Sequence, residues 1–326
     1  MDALSKNIGK TPLIRLDKLS EELGANVYVK YEAANPGGSI KDRAARSMID
    51  AAEARGQIKP GESILVEPTS GNTGIGIAMI GAARGYKVIL TMPESMSQER
   101  RMLLAAYGAQ LVLTPAAEGM AGAVAEAQRI ERGTPGAWVV GQFVNPDNPL
   151  AHEQSTGPEI REALGADPDY VVAAAGTGGT VSGLAHFFNG HGPKPASGFA
   201  AMVGPRVKVY AVEPAESPLI SQALAGEELT PAPHGIQGIG ANFIPDTLDL
   251  QALHGVLQVS TQEALEAARY MAQQEALLVG ISSGANMAAV RKLVAQDPQA
   301  KGKNIVTLAV DTGERYLSTD LFAGLA

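Results

Sequence analysis

Short β-branched and aliphatic runs alternate with longer Ala-rich stretches along nearly the whole 326-residue chain. The runs fall at 26–32, 63–67, 87–91, 110–114, 137–140, 170–175, 207–212, 256–259 and 304–310. The Ala-rich stretches between them include 42–55, 74–84, 97–107, 119–132, 179–188, 261–275 and 284–295. Such alternation predicts α/β architecture with a mainly parallel sheet. Val88-Ile89-Leu90 and Val171-Val172-Ala173 are continuously apolar, as strands covered on both faces should be. The length favours two domains. The cluster Asn145-Pro146-Asp147-Asn148-Pro149 reads as an interdomain turn, and the Gly/Pro-rich stretch 190–205 as a surface loop.

Composition removes several function classes. The net charge of −8, with both signs interspersed, argues against nucleic-acid binding. No run is long and apolar enough to span a bilayer, and the N-terminus lacks signal-peptide regions. Cysteine is absent, so no thiolate metal site, disulfide or cysteine nucleophile is available. The five histidines form no H-x-x-x-H or H-E-x-x-H pair, and no metal site is expected.

Ligands of α/β sheets sit beyond the carboxyl ends of the strands, and three turns there carry unusual residues. Gly176-Thr177-Gly178-Gly179-Thr180 follows an apolar strand and opens a helix, a place for an anion such as one phosphate. It lacks the Gly-Lys-Ser/Thr of a P-loop and the third glycine of a dinucleotide fingerprint; a plain strand-to-helix turn is the alternative. Thr69-Ser70-Gly71-Asn72-Thr73-Gly74 could bind a carboxylate or could simply cap its helix. Gly280-Ile281-Ser282-Ser283-Gly284 has the G-x-S-x-G spacing of a hydrolase elbow, but no histidine follows it, so a serine hydrolase is rejected. Ser282 instead reads as a ligand-binding hydroxyl.

A fourth segment, Pro36-Gly37-Gly38-Ser39-Ile40-Lys41-Asp42-Arg43, runs from a Gly-rich turn into a helix. Ser39 and Asp42 have capping-box spacing, which makes Ser39 the expected N-cap. Lys41 then lies in the first turn, where the macrodipole disfavours positive charge. It is either a structural charge or an amine with a lowered pKa. A phosphate cup, a carboxylate loop and such an amine together form the inventory for pyridoxal 5'-phosphate (PLP) holding an amino acid.

On these residues the chain resembles the fold type II PLP enzymes, and among them the cysteine synthase (O-acetylserine sulfhydrylase) family. The resemblance runs from Asn7-Ile8-Gly9-Lys10-Thr11-Pro12-Leu13 to Gly313-Glu314-Arg315-Tyr316-Leu317-Ser318-Thr319, with the intervening blocks in family order. It implies two domains, each with a mainly parallel twisted sheet flanked by helices. The smaller would span 35–145, and the larger 1–34 plus 146–326, with the active site between them. It implies that Lys41 carries PLP as an internal aldimine and serves as the catalytic base. Gly176, Thr177, Gly178, Gly179 and Thr180 would hold the phosphate, Asn72 the ring hydroxyl and Ser282 the pyridine nitrogen. Thr69, Ser70, Gly71, Thr73 and Gln142 would bind the substrate carboxylate, with Gly238 beside the amine. The implied reaction is β-replacement of O-acetyl-L-serine by sulfide, through an α-aminoacrylate, giving L-cysteine and acetate. A serine at the pyridine nitrogen makes the ring a weaker electron sink, which suits a substrate with a good leaving group. The resemblance further implies a cytoplasmic homodimer whose cleft can take the C-terminal tail of serine acetyltransferase. Cystathionine β-synthase shares Pro36–Ser39 and Thr69–Gly74, and the Pro-Gly-Gly-Ser stretch occurs in thiosulfate-using relatives. These, and a phosphoserine-using relative, are the alternatives within the superfamily. A catalytically silent binding protein is the alternative outside it, against which Lys41 speaks.

Overall fold

The computed structural model describes residues 2–191 and 206–324, so most of the stretch 190–205 lies outside the described residues. The strands are β1 (Leu13–Arg15), β2 (Asn26–Tyr31), β3 (Ile64–Pro68), β4 (Lys87–Pro93), β5 (Gln110–Thr114), β6 (Ala137–Val139), β7 (Tyr170–Ala174), β8 (Lys208–Pro214), β9 (Gly255–Val259) and β10 (Asn304–Ala309). The α-helices are α1 (Asp17–Leu23), α2 (Lys41–Ala54), α3 (Asn72–Arg84), α4 (Gln98–Ala106), α5 (Gly119–Gly133), α6 (Asp147–Ala151), α7 (Gly157–Leu164), α8 (Gly179–Asn189), α9 (Leu219–Ala225), α10 (Thr261–Gln274) and α11 (Ile281–Gln296).

Cα packing divides the chain into two units, Met1–Ile8 with Asn35–Ala151, and Gly9–Ala34 with His152–Ala326. The first contains a four-stranded sheet in the order β5-β4-β3-β6, parallel throughout. Its core sets Ala45, Met48 and Ile49 of α2 against Ile77 and Ile80 of α3, over Leu65, Leu90 and Met92 of the sheet. The second contains a six-stranded sheet, β1-β2-β10-β7-β8-β9, parallel except at β1. Its core is built on α11, whose residues 281–290 are all buried. A helix buried all round shows no amphipathic stripe, and the Ala- and Ser-rich sequence of α11 shows none.

The expected α/β alternation with parallel sheets is realised, with differences of detail. The sequence reading missed β1, a three-residue antiparallel edge strand paired with β2. It also left α1, α6, α7 and α9 as connections, because short helices beside Pro and Gly carry little periodicity. The first eight residues pack with 35–151, where 1–34 was expected to group with the later residues. Arg84 of α3 binds Asp2 at 2.8 Å and Ser5 Oγ at 3.0 Å, and Ile8 enters the core of that unit. The division after 145 falls instead after Ala151. Here α6 is tied to α2 by the two-pronged Arg55–Asp147 pair, both contacts at 2.7 Å.

In the second unit α10 and α11 cross at backbone contact. A Cβ built on Gly284 would stand 2.0 Å from the Ala264 carbonyl oxygen and 2.8 Å from the Ala268 nitrogen. Neither atom can move without breaking helix α10. Gly284→Ala is therefore expected to destabilise the protein by about 1–3 kcal/mol or more. Denaturant unfolding should show this as a lower midpoint at unchanged slope.

Candidate active site

In the first unit Lys41 opens α2. The N-cap position falls on Ile40, one residue later than expected. Ser39 still serves the helix start, since its Oγ accepts the Lys41 backbone N–H at 3.2 Å. The Asp42 carboxylate reaches past the cap to accept the Gly37 N–H at 2.6 Å. A Cβ on Gly37 would lie 2.5 Å from that carboxylate, so only glycine fits. The Lys41 residue is partly accessible, but its amine is desolvated, which lowers its pKa to about 8. No carboxylate or hydrogen-bond acceptor among the described residues meets it. Lys30, in the other unit, shows the opposite arrangement: buried as well, it pairs with Glu159 at 2.8 Å.

The loop 69–74 joins β3 to α3. Its hydroxyls do not cap the helix: the N-cap is Gly71, and no side chain accepts a cap hydrogen bond. Thr69 Oγ1 accepts the Gly71 N–H at 3.2 Å, and Thr73 Oγ1 donates to Gln142 Oε1 at 2.6 Å. Thr69, Thr73 and Gln142 are all buried. Ser70 Oγ lies 2.9 Å from Met96 Sδ. The structure thus brings Thr73 and Gln142, 69 residues apart, into direct contact. Gly76 lets α3 approach α2, since a Cβ there would stand 3.1 Å from Ala45 Cβ and 3.3 Å from the Lys41 carbonyl oxygen.

In the second unit Gly176–Thr180 joins β7 to α8, with the backbone packed too tightly for a side chain at Gly176 or Gly178. A Cβ on Gly176 would lie 2.4 Å from the Gly238 carbonyl oxygen, and one on Gly178 2.4 Å from Leu248 Cβ. Gly178 also has φ +81°, in the left-handed region. Helix α8 starts at Gly179, whose N–H donates to Thr177 Oγ1 at 3.3 Å, and no acidic residue stands in its first turn to compete with an anion there. Gly238 itself has φ +94°. Ser282, in the first turn of α11, is buried. In the second unit a helix start without an acid and a buried serine suit a phosphate and a ring nitrogen, and in the first unit a desolvated amine suits an aldehyde; these are the groups PLP requires.

Two polar residues escaped the sequence reading. Glu67, at the end of β3, is fully buried and accepts the Gly141 N–H at 2.7 Å and the Gln142 N–H at 3.3 Å on separate oxygens. Desolvation pushes its pKa up to about 7. His152, also buried, sits on the π-helical turn His152–Thr156 and bridges Thr156 Oγ1 at 3.0 Å and Thr180 Oγ1 at 3.2 Å. Neither belongs to a motif; both are linked to the loops only through tertiary contacts.

The fold and these loops define a PLP-binding α/β protein. Residues 4–311 match the family described as "Pyridoxal-phosphate dependent enzyme", and the chain belongs to that family. It is 48% identical to cysteine synthase A of Escherichia coli over 98% of this chain and 95% of that one. It is 45% identical to a cysteine synthase of Staphylococcus aureus over 99% and 97% of the two chains. Among solved structures it is similar to an O-ureido-L-serine synthase (TM-score 0.88, 37% identity, 100% and 96% of the chains). It is likewise similar to a cysteine synthase from Entamoeba histolytica (TM-score 0.86, 38% identity, 98% and 90%).

Two outcomes follow from the geometry. If Lys41 is the residue that takes the aldehyde, recapture of PLP by stripped protein should quicken with pH and level off above about 8, since only a neutral amine attacks. A surface lysine would give a rate still climbing beyond pH 10. Glu67→Gln leaves one loop N–H facing an amide NH2, and is expected to cost about 1–3 kcal/mol in denaturant unfolding.

Proposed function

We propose that the chain is a cysteine synthase, which exchanges the acetoxy group of O-acetyl-L-serine for sulfide and releases L-cysteine and acetate. The observation that carries this reading is the Lys41 amine: desolvated, without a counter-ion, and with a pKa lowered to about 8. Such a group is available as a neutral base near physiological pH. The near-full-length identity to cysteine synthases supports the choice of substrates.

Bound PLP supplies the electron sink that makes the substrate α-proton acidic. Lys41 removes that proton. The Cβ–O bond breaks as acetate leaves with its electron pair, sulfide forms the new Cβ–S bond, and a proton returns to Cα. The substrate carboxylate is assigned to Thr69, Ser70, Gly71, Thr73 and Gln142, and the substrate amine to the neighbourhood of Gly238. Gly176, Thr177, Gly178, Gly179 and Thr180 are assigned to the cofactor phosphate. Asn72 is assigned to the ring hydroxyl, and Ser282 to the pyridine nitrogen. The Thr73–Gln142 hydrogen bond supports the carboxylate assignment, because it brings the Gln142 amide to the loop 69–74. A cytoplasmic homodimer, and competition from the C-terminal tail of serine acetyltransferase, belong to the same reading and rest on family resemblance.

A second reading, in which another nucleophile replaces sulfide, is favoured by the similarity to an O-ureido-L-serine synthase. One assay separates these. Purified protein should be yellow and should form cysteine from O-acetylserine and sulfide. Lys41→Ala should lose about 10²–10⁴-fold in turnover. Product formation only from serine with homocysteine, from thiosulfate, or from O-phosphoserine would reassign the enzyme within its family. A colourless protein that takes up no PLP would overturn the proposal.

A further inference from the structure

The second unit carries a cluster of ligand-type side chains that the reaction does not use. Glu153 lies on the π-helical turn, His186 in the last turn of α8, and His191 just beyond the end of α8. One ring nitrogen of each histidine and one oxygen of Glu153 all lie within 4.8 Å of one another. His191 Nε2 is 2.8 Å from Glu153 Oε1. The two imidazoles stand 4.3 Å apart, centroid to centroid, with planes at 36°. Ligand atoms about 2.0–2.2 Å from a tetrahedral zinc lie roughly 3.4 Å from each other, inside the range spanned here.

The surroundings of the cluster match a cation site. His186 Nε2 lies 2.9 Å from Asp249 Oδ2. When Nε2–H donates to that carboxylate, Nδ1 keeps its lone pair, and the carboxylate orients the ring. A single dication at this point would meet one ring lone pair of each histidine and the Glu153 carboxylate together. His191 is 66% exposed, which leaves a way in, while His186 is 14% exposed and fixed. The sequence hid the cluster because its histidines are five residues apart across a helix end, and its acid comes from another element.

We propose that Glu153, His186 and His191 bind a divalent transition ion of the zinc class, with Asp249 holding His186 and water completing the coordination. Two imidazoles and one carboxylate suit zinc and its neighbours rather than magnesium or calcium. The test is isothermal titration of the PLP-loaded protein with zinc chloride, in buffer free of chelators and phosphate. One saturable site is expected. It should vanish in the His186→Ala/His191→Ala double variant and weaken at least about tenfold in Glu153→Gln and in Asp249→Asn. Circular dichroism checks that each variant is folded; if the double variant is not, Glu153→Gln decides. Absence of a saturable site in the wild type, or unchanged affinity in the folded double variant or in Glu153→Gln, overturns the proposal.

Discussion

An ammonium group taken out of water without a counter-ion loses several kcal/mol of hydration, and its environment then favours the neutral amine. Lys41 is such a group, and nothing electrostatic pins its side chain. Its place must come from the backbone that bears it. Three contacts supply that: the Ser39 hydroxyl on the Lys41 N–H, the Asp42 carboxylate on the Gly37 N–H, and the close approach of α3 permitted by Gly76. Lys30 illustrates the other solution to burial. Its charge is matched by Glu159 and by the Thr11 carbonyl, which fixes the side chain and removes it from chemistry. The same residue type is held by a carboxylate in one unit and, among the described residues, meets none in the other.

The loops assigned to ligands share one construction. Each follows a strand or an extended segment, turns on glycine, and opens a new helix: β3 into α3, β7 into α8, and Val279 into α11. Glycine serves two ends here. At Gly178 it supplies a left-handed φ of +81°, and at Gly176 and Gly178 it clears space that Gly238 and Leu248 would otherwise contest. Residues with side chains would fill the cradle from within, and an acid in the first turn would repel a phosphate. Glycine at 176, 178 and 179 leaves that space open, and the first turn of α8 holds no acid.

Much of this was legible in the sequence because it is local. Apolar runs marked nine of the ten strands, and Gly, Ser and Thr spacing marked the turns at 69–74, 176–180 and 280–284. What was not legible depends on distant partners. The place of residues 1–8 is set by Arg84, and the extent of the first unit by Arg55 meeting Asp147. Neither charge pair has a local pattern. Strand β1 is defined only by pairing with β2, and three residues carry no period. Glu67 reads in sequence as one acid at a strand end, and only the fold shows it among backbone donors.

Glu67 ties the ionisation of one buried group to the carboxylate loop. Two N–H groups on two separate oxygens call for an ionised carboxylate, while desolvation favours the protonated form and raises the pKa to about 7. The two demands are therefore close to balance near neutral pH. Above that value both oxygens accept, and the backbone at Gly141 and Gln142 is held. Below it one oxygen carries a proton, and one of the two N–H groups loses a full acceptor, a penalty for any buried donor. Gln142 is the residue whose side chain receives the Thr73 hydroxyl. The order of the loop thus runs from Glu67 through the backbone to Gln142 and on to Thr73. A group that touches no ligand in this chain of contacts still sets how firmly the loop's donors are aimed.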